Sequence, residues 1–340
     1  VLAALSVVVL SEFIFVEAPS PSCHAATLEH SQGRLVAAWF GGKNEGASDV
    51  GIWLSHRNTE GWSKPRRVAE GSDDGKPLPC WNPVLFQPDK GPLMLFYKVG
   101  PSPAKWWGML MTSADGGETW SDERRLPEGI LGPIKNRPLQ LADGTILSPS
   151  STEHDGWRIH FERSSDGGTT WTKTPPYPAD GSAEAIQPSI LRKADGSLLA
   201  IGRTRQGKVF EVASPDQGAS WTGFRLGELP NPNSGTDALT LADGRHVIAY
   251  NPTPDEPGRW LGKRSPLTVA VSVDGRNWRV VANLEDEPGQ EFSYPSLLQT
   301  PDGMVHCVYT WKRQRIRHAV LDPKRFEHAE SWEHGARSGD

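Results

Sequence analysis

Cysteine is scarce: Cys23, Cys80 and Cys307 are the only three in 340 residues. An odd number with no dense spacing argues against a disulfide framework, and no CxxC or Cys/His zinc pattern occurs, so neither a metal centre nor a cofactor is expected. No apolar run reaches the length of a membrane span. Net charge is −5 with basic residues scattered, so the clustered basic face that binds nucleic acid is missing. No window sustains a 3.6-residue apolar period, and helix should be scarce. The opening Val1–Leu10 is apolar but has neither an initiator Met nor a basic flank. It reads as an opening strand, favoured by its valines, or as the remnant of a signal segment. The second reading implies a secreted or periplasmic protein, the first leaves a cytoplasmic one open.

Glycine and proline are plentiful instead, at 35 and 29 residues, as suits a chain with many tight turns. Six short apolar strands open on a polar residue followed by Pro or a small or apolar residue. The openings are Cys23-His24-Ala25, Trp81-Asn82-Pro83, Asn136-Arg137-Pro138, Ile186-Gln187-Pro188, Thr236-Asp237-Ala238 and Ser293-Tyr294-Pro295. Seven or nine residues later comes a hairpin glycine: Gly33, Gly91, Gly144, Gly196, Gly244 and Gly303. A period of about 50 residues built from short strands marks propeller blades. A scaffold residue tends to repeat with its scaffold, whereas six different polar groups at one repeated place suggest the lining of a single site.

A second repeat runs with the first. Ser113–Trp120, Ser164–Trp171 and Ser214–Trp221 share the pattern S-x-D-x-G-x-[ST]-W. Ser272–Trp278 is one residue shorter, and Ser55–Trp62 lacks the Asp. In each turn the Asp would accept backbone N–H bonds, the Gly supply a positive φ and the Trp plug the loop. These Asp residues are therefore read as structural, not as calcium or acid/base sites.

The turns resemble the Asp-box (BNR) repeats of the sialidase, or neuraminidase, superfamily, and the resemblance spans essentially the whole chain. It implies an all-β fold, a six-bladed β-propeller of four-stranded antiparallel blades. The blades are expected near 23–79, 80–134, 135–183, 184–234, 235–291 and 292–322, within one domain covering 1–326. Segment 11–16 is expected to complete the last blade and close the ring, leaving 327–340 as a charged tail.

In such a ring the inner strands lie side by side around the axis. Their opening residues would then meet at one mouth in the order His24, Asn82, Arg137, Gln187, Asp237 and Tyr294. Tyr294 falls between Asp237 and His24. A tyrosine, whose ordinary pKa is about 10, can lose its proton to one such neighbour and regain it through the other. Loops should add Asp49, Arg203, Arg205, Arg264 and Arg313, and several guanidinium groups in one funnel imply an anionic ligand, most economically a carboxylate. His154-Asp155 sits on a turn that would reach the rim. Trp81, Trp106 and Trp107 read equally as a sugar-stacking wall or as core.

Carried over residue by residue, the resemblance makes Tyr294 the nucleophile, Asp49 the acid/base, and Arg203 and Arg264 two of three carboxylate-binding arginines. Two positions depart from it. The first arginine is His24, and the glutamate partner of the tyrosine is Gln187, with Glu184 three residues out of register. Arg137, facing His24 across the ring, would supply a replacement guanidinium. The expected activity is cleavage of a terminal acidic sugar, sialic acid-like or a uronate, from a glycan or oligosaccharide. Two rival readings remain. One is a lyase in which a Tyr/His pair acts on an Arg-neutralised uronate; the other is a non-catalytic sugar-binding propeller. Oligomeric state leaves no signal in the sequence.

Overall fold

The computed structural model describes residues 6–254 and 262–328. They form six antiparallel sheets of four or more strands around an axis, plus a small hairpin, Gly71–Asp73 with Lys76–Leu78. This is the six-bladed all-β propeller expected. Among the described residues the one helical segment is the 3-10 turn Pro323–His328, and no helix is long and apolar enough to cross a membrane. Most of the expected tail, 329–340, lies outside the described residues, as does the start of the opening segment.

The inner strands are Ser22–Ser31, Cys80–Phe86, Leu139–Gln140, Ala185–Arg192, Asp237–Thr240 and Phe292–Gln299, for blades 1 to 6 in order. Strands near the axis are buried on both faces, so their sequences are nearly unbroken apolar runs. Cys80–Phe86 and its neighbour Leu93–Val99 are buried throughout, whereas the rim strand Arg279–Glu285 is mostly half-exposed. Six apolar clusters fill the gaps between successive blades. Each buried Leu, Val or Phe contributes about 1.5–3 kcal/mol.

The Asp-box turns are structural. The Asp115, Asp166, Asp216 and Asp274 carboxylates accept N–H bonds of 2.8–2.9 Å from Thr119, Thr170, Ser220 and Asn277. The tryptophans plug the blade gaps; Trp221 stacks on Phe161 with ring centroids 3.6 Å apart.

Closure of the ring departs from expectation by three residues. The strand that completes blade 6 is Val8–Phe13, paired antiparallel with Arg315–Leu321, rather than 11–16. The apolar run misleads because its second half serves packing. Ile14 still donates its N–H to Ile316 O at 3.0 Å, but its side chain and that of Phe15 are buried between blades 6 and 1, and Val16 is exposed.

Glu12, on this closing strand, staples the two blades together. Its Oε1 accepts bonds from His318 Nδ1 at 3.0 Å in blade 6, and from Arg57 Nε at 2.8 Å and Trp62 Nε1 at 3.1 Å in blade 1. The His318 hydrogen bond, with help from Arg57 and against a burial penalty, lowers the Glu12 carboxyl from 4.5 to about 2. A depressed carboxyl stabilises the fold above its ordinary value and loses that contribution as pH falls through the folded one. Glu12→Gln is therefore expected to cost about 1–2 kcal/mol at pH 7, measured by urea denaturation. The gap to wild type should close as pH drops from 4.5 toward 2.

Candidate active site

Four inner strands carry a residue with left-handed backbone near their start: Ala25 (φ +55°), Asn82 (+37°), Gln187 (+58°) and Tyr294 (+53°). In each case the pairing with the next strand skips there, as in a β-bulge. Such a conformation costs a non-glycine residue about 1–2 kcal/mol and re-aims its side chain, and bulges of this kind cluster beside functional sites. Asn82, Gln187 and Tyr294 all line one pocket of about 260 Å³ at the mouth, with Arg203, Arg264, Arg313, Glu45, Glu153, Trp81, Trp106 and Trp157.

Tyr294 is the floor, 8% exposed. Gln187 Nε2 reaches its hydroxyl at 3.4 Å, while the Gln187 Oε1 is buried without a partner among the described residues. His24 packs on the Tyr294 ring with centroids 4.2 Å apart. It does so from one residue out of register, because the left-handed position of blade 1 is Ala25. Burial, reinforced by Arg313, Arg264, Arg203 and Lys135, pushes the His24 imidazole well below its usual value, so it is neutral. His24 Nδ1 lies 2.8 Å from Thr310 Oγ1.

Three guanidinium groups converge above this floor. Arg203 lies 5.4 Å and Arg264 5.8 Å from the Tyr294 ring centroid. Arg264 Nη1 and Arg313 Nε both donate to Glu291 Oε1 at 2.9 Å. Burial opposes ionisation of Glu291, yet the two arginines hold its carboxyl below the usual range. Arg313 also bonds Glu45. Among the described residues the Nε atoms of Arg203 and Arg264 are buried with no hydrogen-bond partner. Arg313 sits with Lys312 in a tight turn whose two central residues have φ of +59° and +52°, closed by Gln314 N donating to Trp311 O at 3.0 Å. Neither residue is the Gly or Asn that such a turn prefers, and that strain puts the guanidinium in the pocket.

Other expected residues lie elsewhere. Arg137 and Asp237 line a separate cavity of about 260 Å³ with Leu239, Thr240 and Leu297, toward the far ends of the inner strands. Arg137 Nη1 pairs with Glu29 at 3.4 Å. Asp237 accepts from Ser189 Oγ at 2.8 Å and Leu297 N at 2.7 Å. Neither strand start has the left-handed residue, so neither side chain is turned to the mouth, and Arg137 does not replace the missing arginine. Arg205 is not in the pocket lining. It pairs with Glu184 at 3.0 Å and stacks on Trp157 at 4.2 Å, which is what the out-of-register Glu184 does. Asp49 is likewise outside the lining. It is exposed, with its carboxylate accepting Lys43 N–H at 3.1 Å, while Glu45 of the same loop faces the pocket. His154 and Asp155 are exposed, and their neighbour Glu153 is the residue that lines the mouth. Burial raises the Glu153 carboxyl above its usual value, against the pull of Arg203.

Lys135 sits on the axis beneath the tyrosine, its Nζ 5.6 Å from the ring centroid. All three ammonium hydrogens are used, on Asn136 Oδ1 (2.9 Å), Thr236 O (2.9 Å) and Pro295 O (2.6 Å). Burial pushes it down to about 8. Asn136 Nδ2 reaches on to Gln187 O and Pro188 O at 3.0 and 3.2 Å. Gly235 has no room for a side chain here: a Cβ would stand 2.9 Å from Lys135 Cε and 3.1 Å from Tyr294 Cδ2.

A family model described as "BNR repeat-like domain" matches residues 33–307. The chain belongs to the BNR repeat-like domain family. This BNR chain is 25% identical over 241 residues to a protein named anhydrosialidase from Macrobdella decora, a match covering 63% of the chain and 31% of that protein. The chain thus spans less than a third of that relative's length. A protein of unknown function from Dyadobacter fermentans superimposes with a TM-score of 0.75 at 17% identity, covering 93% of this chain and 98% of that one. The NanB sialidase of Streptococcus pneumoniae gives 0.69 at 15% identity, covering 92% and 71%. With the BNR repeats, these likenesses identify the fold as a sialidase-superfamily propeller.

Lys135→Met would leave three buried acceptors unpaired and is expected to cost about 2–4 kcal/mol of stability, read by chemical denaturation. An unchanged midpoint would contradict its role as the axial tie.

Proposed function

We propose that this protein is a glycan-processing enzyme that releases a terminal carboxylate-bearing sugar, with Tyr294 as nucleophile. The observation that carries the proposal is the convergence of Arg203, Arg264 and Arg313 in the pocket floored by Tyr294, two of them with buried Nε–H groups that lack partners among the described residues. Each unmet buried donor costs about 1–3 kcal/mol, which a bound carboxylate would relieve. The names of the similar proteins, anhydrosialidase and sialidase, support an acidic sugar. Arg313 takes the place of the family arginine that His24 replaces.

In the proposed reaction the Tyr294 oxygen attacks the anomeric carbon and the bond to the leaving oxygen breaks. The phenol gives its proton to a water molecule in the mouth, since Gln187 can hold the hydroxyl but cannot accept a proton. The leaving oxygen takes a proton from Glu153. Water then attacks the anomeric carbon and breaks its bond to the tyrosine oxygen, giving one proton back to Glu153, and the tyrosine regains its own proton from water in the mouth. The family resemblance assigns the acid role to Asp49 instead.

Tyr294→Phe is expected to lower kcat by about a thousandfold or more while leaving binding of an acidic oligosaccharide nearly unchanged. Full turnover in that variant would end the proposal. A raised carboxyl is the active acid below its folded pKa, so kcat should fall as pH rises through that value. In Glu153→Gln this alkaline fall should disappear; its disappearance in Asp49→Asn alone would move the acid role to the loop.

The contact of His24 with Tyr294 also fits elimination, in which the pair removes the C5 proton of a uronate and the 4-linked oxygen departs, leaving a C4–C5 double bond. A screen of sialosides and glucuronate-containing oligosaccharides separates the two reactions. Absorbance growing near about 235 nm marks elimination, and reducing-end release without it marks hydrolysis.

A further inference from the structure

A second cavity, of about 350 Å³, adjoins the mouth on the same face of the disc, between blades 2 and 3. Trp106 lines both spaces and so forms part of the wall between them. The volume is at the low end of the about 300–1,000 Å³ of small-molecule sites. Its lining combines Trp106 and Trp107 with Arg125, Lys173, His154 and the single acid Glu128.

The walls of this cavity are built rather than loose. The Arg125 guanidinium stacks on Trp107 at 4.4 Å. His154 Nε2 donates to Trp106 O at 3.1 Å. Lys173 Nζ donates to Gly129 O at 2.8 Å. The buried Glu162 carboxylate accepts from Leu131 N at 2.8 Å and Gly132 N at 2.7 Å, and His160 Nε2 lies 2.9 Å from it. The loop over the cavity is thus fixed at both ends before any ligand arrives. Aromatic walls with a few fixed donors and acceptors suit a sugar ring, which presents apolar C–H faces and a hydroxyl rim.

We propose that this cavity binds the leaving-group side of the glycan, a neutral sugar next to the acidic one held at the mouth. The inference rests on the reading of the mouth as a glycan site. Continuity through Trp106 selects this occupant: a chain anchored by its terminal carboxylate at Arg203, Arg264 and Arg313 reaches the second cavity on crossing Trp106. The cavity carries two cations against one acid, and these are already engaged with Trp107 and Gly129. It therefore needs no second charged sugar.

The test titrates a panel of neutral disaccharides (lactose, cellobiose, maltose and chitobiose) against tryptophan fluorescence, using the whole chain and no turnover. At least one should bind with a Kd in the range of about 1 mM or below. Trp107→Ala should weaken it about tenfold, and Arg125→Ala, at an exposed position, several-fold. Arg264→Ala, which disables the mouth, should leave it unchanged. Absence of binding by all four sugars, indifference to both Trp107→Ala and Arg125→Ala, or an equal loss in Arg264→Ala would overturn the assignment. Disaccharide binding that persists when no acidic glycan is turned over would refute the proposed function and leave this site standing.

Discussion

An ammonium group on the axis governs this propeller. Lys135 donates to blade 3's own Asn136 and to the carbonyls of Thr236 and Pro295, entering blades 5 and 6, while Asn136 takes two carbonyls of blade 4. Side chains of two consecutive residues thus gather four blades around one point. A buried cation is tolerable only when fully bonded, and the carbonyls that satisfy it are those flanking the strand starts. Pro295 follows Tyr294, and Gln187, next to Pro188, lies in the other wall of the mouth. The tie that closes the centre therefore also sets where the tyrosine stands and what stands beside it.

Much of the fold was legible because it repeats. The hairpin glycines and the Asp boxes fixed blade number and phase, and each box proved a local hydrogen-bonding device. Spacing also separates the opening residues that meet at the mouth from those that do not. Asn82, Gln187 and Tyr294 lie nine residues before their glycines and face the mouth; Arg137 and Asp237 lie seven before theirs and face the other way. Counting nine back in those two blades gives Lys135 and Gly235, which meet the tyrosine. The signal was present, but polarity at the strand opening outweighed register. Glu153 was hidden differently, since only tertiary burial separates it from the exposed His154 and Asp155 beside it.

On the proposed function, the departures from the sialidase pattern are met in part by residues elsewhere in the chain. Replacing an arginine by His24 removes a charge, because that imidazole is kept neutral by burial and by the surrounding cations. Arg313 restores the charge from the opposite side of the seam between blades 1 and 6. Gln187 removes a proton acceptor beside the tyrosine, and His24 stands on the ring instead. On the proposed function the third guanidinium is kept at a new chain position, while the carboxylate beside the tyrosine is not replaced by another charge.

The turn that carries Arg313 belongs to the final blade, but its guanidinium grips Glu45 of the first, and Arg313 O accepts the N–H of Cys23 at 2.9 Å. Blade 6 is itself closed without a covalent link, its outer strand Val8–Phe13 running on into blade 1 while its other three strands follow blade 5 in the chain. A ligand seated on Arg313 would grip the ring beside the one blade that strand pairing alone closes. Occupancy of the funnel and mechanical integrity of the disc would then be coupled, each resisting loss of the other.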